Sequence, residues 1–211
     1  MNRRTLLGTA AMALAALPFG AWADNHETEA MEGEAPVVAE MMLGDPEAPV
    51  EVIEYASFTC PHCANFHDDV FGQLKENYID TGKIRFIHRE VYFDRYGLWA
   101  GMVARCSGDT KRYFGIADLI YSKQRDWIGD GQPATIEANL RTLGKTAGLT
   151  DQALDECMAD SAMAEALVAD FQTNMERDGI EGTPTFFING TKHSNMSYAD
   201  FAKLLDEALE G

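Results

Sequence analysis

With 211 residues the chain holds one substantial domain, or one domain with a sizeable insertion; 46% hydrophobic and 24% charged residues exclude disorder of the whole. Asp and Glu number 34 against 17 Lys and Arg, a net charge of -17. A surface this anionic repels phosphate backbones and anionic headgroups, so no nucleic acid is expected among its partners, and the acidity reads as a solubilising surface.

Residues 1–23 read as an export signal. Arg3 and Arg4 form a positive start, the apolar run from Leu6 to Phe19 is too short to span a bilayer, and Ala21-Trp22-Ala23 is a small-x-small cleavage site. Asp24 is then the first mature residue. An uncleaved membrane anchor is the competing reading, outweighed by the short run and the good cleavage site. The Arg pair also has a twin-arginine look, but such pairs occur in ordinary secretory signals, and the route stays open. Cleavage removes two Arg and no acid, taking the net charge from -17 to -19.

Export changes how the cysteines read. Cys60, Cys63, Cys106 and Cys157 would sit in an oxidising compartment, the periplasm, where disulfides persist. Four cysteines allow three pairings. The short spacing of Cys60 and Cys63 makes their pairing the local choice, which leaves Cys106 with Cys157.

Residues 24–40 are rich in Glu, Ala and Gly and read as an acidic flexible linker. Met41 to Leu43 reads as a short edge strand, and Val50 to Tyr55 as a buried, β-branched strand. After Cys63 the apolar positions Phe66, Val70, Phe71, Leu74 and Tyr78 recur at helical steps, with Thr59 as the expected cap and Pro61 in the first turn. Ile84 to Val91 is the next strand. Residues 41–94 therefore form a strand–helix–strand unit whose first loop carries two cysteines.

From residue 95 to 171 strand-like runs vanish and helical periodicity takes over, as in Leu98, Met102, Val103 and Cys106, or Leu154, Cys157 and Met158. Strands return in residues 172–211 with Thr185 to Ile188 and the hairpin signal Asn189-Gly190; Ser197 or Tyr198 then opens a terminal helix. The fold class is α/β with an inserted all-helical domain.

Cys60 and Cys63, three positions apart between a strand and a helix start, can close a small disulfide ring. A helix N-terminus favours an anion there, so the ring is poised to open again by thiol–disulfide exchange. The run Glu54-Tyr55-Ala56-Ser57-Phe58-Thr59-Cys60-Pro61-His62-Cys63, the helical insertion, and Gly182-Thr183-Pro184-Thr185-Phe186-Phe187-Ile188-Asn189-Gly190 together resemble the DsbA family of thioredoxin-fold disulfide oxidoreductases. The resemblance runs from about Met41 to the C-terminus.

That resemblance implies a thioredoxin fold and an enzyme, a dithiol oxidase acting on reduced, unfolded exported proteins. Cys60 would be the nucleophile, favoured as thiolate by the helix N-terminus, first-turn amides and nearby His62, with Pro61-His62 as the intervening pair. Cys63 would be the resolving thiol. Glu54 matches the family's acidic residue beneath the active site and would move a proton for Cys63. Pro184 would follow a cis bond facing the disulfide, and Thr183 would offer backbone hydrogen bonds to an extended substrate. A DsbB-type membrane reoxidase is implied as partner; no organic cofactor and no metal is indicated, and a monomer is expected.

Cys106 and Cys157 lie on apolar helix faces. In an exported protein a structural disulfide is the expectation, although the family does not always have this pair. Two alternatives remain. One is an exported reductase or isomerase, a role that usually needs a dimerisation domain, for which residues 24–40 are too short and polar. The other is a metal-sequestering module using Cys60, His62, Cys63 and His67, whose spacing fits a redox helix better than a closed tetrahedral site.

Overall fold

Apolar runs rich in β-branched residues make the centre of a mixed sheet. The computed structural model describes residues 36–211, in which five strands take the order β1–β3–β2–β4–β5. The signal expected in residues 1–23 lies outside the described residues, as does the linker up to residue 35. β2 (Val50–Ala56) runs parallel to β3 (Ile84–Glu90) and antiparallel to β4 (Thr185–Ile188). β1 (Met41–Leu43) and β5 (Thr191–Ser194) are the antiparallel edges. Being central and covered on both faces, β2 is apolar almost throughout, as a strand in that position must be. Its exceptions are Glu51, half-buried and paired with Arg85, and the fully buried Glu54, in register with His88 of β3 and Phe186 of β4.

Between β2 and β3 comes α1, residues 61–79, regular over Pro61–Phe66 and widened to π-type turns at His67–Phe71 and Lys75–Ile79. Its apolar stripe, Phe66, Val70, Phe71, Leu74 and Tyr78, is buried. Between β3 and β4 the chain forms α2 (Arg95–Arg105), α3 (Thr110–Ser122), α4 (Gln124–Ile128), α5 (Pro133–Thr146), α6 (Asp151–Met158) and α7 (Ser161–Asp178). Side chains of Asp94, Asp109, Thr150 and Asp160 accept backbone N–H bonds at four of these helix starts, satisfying otherwise orphaned donors. α7 stops at Gly179, whose φ of 59° is the left-handed conformation that glycine adopts without steric cost. α8 (Tyr198–Glu210), capped by Ser197, buries Phe201 and Leu205.

Sheet and helices share one core, in which Val52, Phe66, Phe86 and Phe186 join Val103, Ile116, Leu140 and Leu154. A buried ion pair adds a directional tie: Arg105 at the end of α2 reaches Glu90 at the end of β3, 2.6 Å apart. This fixes the helical layer against the end of the sheet where Glu90 pairs with Ala56, the last residue of β2 before the cysteine-bearing loop. Among the described residues no helix is long and apolar enough to cross a membrane.

Candidate active site

The loop after β2 turns through Ser57 and Phe58 and delivers Cys60 to the N-cap position of α1, with φ -82° and ψ 119°. This corrects the expectation that Thr59 caps the helix. Thr59 lies one residue too early, and its hydroxyl donates instead to the Asp94 carboxylate at 2.8 Å, drawn by the charged acceptor that caps α2. Cys60 Sγ therefore stands where a capping oxygen would. The backbone N–H groups of His62 and Cys63 face it and favour its anion, in a contact looser than a side-chain cap bond.

The two sulfurs are free and sit in opposite environments. Cys60 is half-buried; the hydrogen bond from the Cys63 thiol, with help from Thr183 and the first-turn amides, outweighs desolvation and lowers its pKa to about 5. Cys63 is 0% exposed. Burial pushes its thiol far up, reinforced by its hydrogen bond to Cys60 and by the negative charge of Glu54. One sulfur is thus a ready thiolate at neutral pH and the other a thiol.

Pro61 and His62 are exposed in the first turn, and His62 reaches Cys60 through its backbone amide. The Thr183–Pro184 bond is cis, and the Thr183 carbonyl oxygen lies 3.4 Å from Cys60 Sγ. Glu54 is 0% exposed, its Oε2 2.9 Å from His67 Nε2. Cys106, at the end of α2, and Cys157 of α6 come together with Cα atoms 5.5 Å apart, inside the range a disulfide spans.

Three contributors were not read from the sequence as part of the redox site. Gln124, at the start of α4, donates from Nε2 to the Phe58 carbonyl (2.8 Å) and the Cys60 carbonyl (2.9 Å), holding the loop from the helical layer. Nothing local in the sequence points to it. His88 has both ring nitrogens engaged, by the hydroxyls of Tyr113 (2.7 Å) and Tyr121 (3.0 Å). His67, four residues after Cys63, shares its helix face, a spacing that could have linked them. Cys60, His62, Cys63 and His67 do not converge on one point. Among the described residues the set of three ligand-type side chains drawn within 4.8 Å is Glu54, His67 and His88, where hydrogen bonds already occupy His88.

The family model described as Thioredoxin matches residues 37–207. The fold also matches the crystal structure of alpha-DsbA1 of Wolbachia pipientis, with a TM-score of 0.77 at 31% identity over 84% of this chain and 94% of that one. The chain belongs to the DsbA family of thioredoxin-fold proteins. This bears out the expected α/β fold with its helical insertion. A Rickettsia bellii protein named as a candidate protein-disulfide oxidoreductase is 33% identical over 171 residues, 81% of this DsbA-family chain; the chain spans 65% of that relative's length. The crystal structure of BdbD from Bacillus subtilis shares the fold with a TM-score of 0.72 at 22% identity, over 82% of this chain and 94% of that one.

Proposed function

We propose that the chain is an exported thiol:disulfide oxidoreductase of the periplasm, donating a Cys60–Cys63 disulfide to reduced, unfolded exported proteins. The observation that carries this reading is the opposed state of the two sulfurs: Cys60 accessible with its pKa lowered to about 5, Cys63 buried with its pKa raised. A stabilised thiolate in the reduced form makes the corresponding disulfide a strong oxidant.

A substrate thiolate attacks Cys60 Sγ, forming the mixed disulfide and releasing Cys63 as a thiolate, which takes a proton. A second substrate thiolate attacks the substrate sulfur of that bond, releasing oxidised substrate and the Cys60 thiolate. Two electrons pass from substrate to enzyme. Glu54 beneath Cys63 handles the proton, and Thr183, before Pro184, presents its backbone to the substrate chain as an added strand. Cys106 and Cys157 form a structural disulfide. The reduced enzyme, a monomer, returns its electrons to a DsbB-type membrane partner, and the cycle needs neither organic cofactor nor metal.

A glutathione redox titration of Cys60/Cys63, with Cys60→Ser as control, tests the direction. We expect a potential well above that of thioredoxin, about -270 mV. A value at or below it replaces the oxidase reading by a reductase.

A further inference from the structure

Glu54 and His67 face each other where α1 crosses the sheet, 0% and 6% exposed. A neutral imidazole donating from Nε2 satisfies Glu54 Oε2, yet Glu54 Oε1 and His67 Nδ1 are both left buried without a partner among the described residues. Two vacant proton-accepting atoms on one hydrogen-bonded pair are unusual inside a protein, where buried polar atoms are nearly always met. His67 follows by four residues, on one helix face, the Cys63 thiol that must lose and regain a proton in each cycle, and the charge of Glu54 is felt at Cys63.

We propose that His67 is a positioning residue that makes Glu54 and itself a single proton carrier for Cys63. The pair accepts the Cys63 proton as that sulfur attacks a mixed disulfide at Cys60, and gives one back when the Cys60–Cys63 bond is broken. This rests on the reading of Glu54 as the proton partner of Cys63. In the forming direction the Cys63 thiol attacks Cys60 Sγ, the mixed-disulfide bond breaks, its outer sulfur leaves as thiolate, and the proton passes to the pair, which then equilibrates with water.

The groups packed around His67 come from three other elements. Glu54 faces His67 from β2, and His88 faces it from β3 with ring centroids 5.9 Å apart. Tyr121 of α3 stacks on it at 4.1 Å, and Phe66 and Phe71 of its own helix are its apolar neighbours. Burial keeps His88 below the usual imidazole range and holds Tyr121 and Tyr113 well above the usual phenol range, so all three stay neutral.

The test loads Cys60 with glutathione as a mixed disulfide and follows release of glutathione by Cys63 in a single turnover, from about pH 5 to 8, the range in which imidazoles change charge. In the unmodified protein the rate should rise and level off inside this range. His67→Leu should move the inflection alkaline by about one pH unit or more, because an unpartnered buried carboxylate resists ionisation. His67→Gln keeps a donor for Oε2, so its urea midpoint should be retained while the inflection still moves; this separates proton carrying from packing. Inflections unchanged in both variants overturn the proposal. Glu54→Gln distinguishes the underlying reading: if it leaves rate and profile untouched, Glu54 is not the proton partner at all. If Glu54→Gln slows release at least about tenfold while both His67 variants behave as the unmodified protein, Glu54 acts alone.

Discussion

At the scale of the residue, the decisive position is Cys60, because occupying the N-cap puts its sulfur on the helix amides. Ser or Asp would be ordinary there; a thiol converts the same anion-favouring geometry into reactivity. The consequence extends to stability. In the unfolded chain a cysteine ionises near about 8.5, whereas in the folded reduced protein Cys60 does so at about 5. A depressed folded-state pKa stabilises the folded form above the unfolded pKa, and the gain fades as pH falls towards the folded one. Reduced protein should therefore exceed reduced Cys60→Ser in urea midpoint most clearly at alkaline pH, with the difference shrinking from about pH 8.5 downward and gone below about pH 5. A difference independent of pH would mean that Cys60 is not held as a thiolate.

At the scale of the element, the active-site turn is held from outside its own helix. Gln124 of α4 donates to two carbonyls, but the Cys60 carbonyl also accepts from the Ala64 N–H. Gln124→Leu then leaves the Phe58 carbonyl as the buried group without a donor. One unmet acceptor costs about 1–3 kcal/mol, and urea denaturation should show a loss in that range, not twice it. Cys60 alkylation at neutral pH should change in the same variant, since the loop carries the sulfur; unaltered stability and alkylation would make the clamp incidental. The Thr59 hydroxyl on Asp94 acts similarly, joining the loop to the start of α2.

At the scale of the whole molecule, the insertion is a wall of the active site, packed into the same core as the sheet and tied to it by Arg105 and Glu90. The proposed Cys106–Cys157 bond closes a sequence separation of 51 within that wall. Chain-entropy arguments put such a loop at about 4 kcal/mol, and native disulfides typically contribute about 2–4 kcal/mol. Cys106→Ala/Cys157→Ala should lose stability in that range, and in unreduced, denatured protein neither cysteine should alkylate. Alkylation of both would remove the bond from the description.

The α/β frame, the helical insertion and the close-spaced Cys60 and Cys63 were legible in the sequence, because each rests on local pattern. Apolar, β-branched runs mark strands and period-3.6 apolar spacing marks helices, and Cys60-Pro61-His62-Cys63 occupies four consecutive residues. The Thr59 cap was misplaced by one residue, since local pattern cannot see that Asp94, 35 positions on, competes for its hydroxyl. Glu54 was visible as a carboxylate in an apolar strand, yet its partner His67 was not, since they meet only when α1 folds across β2. Gln124 and His88 carry no pattern at all; their roles exist only because helices far along the chain pack over the turn and the sheet. Sequence by itself determined which two sulfurs are the candidates for disulfide exchange, because thiol chemistry is local. Tertiary structure alone decided how the two sulfurs differ, because burial and charge depend on neighbours brought together by the fold.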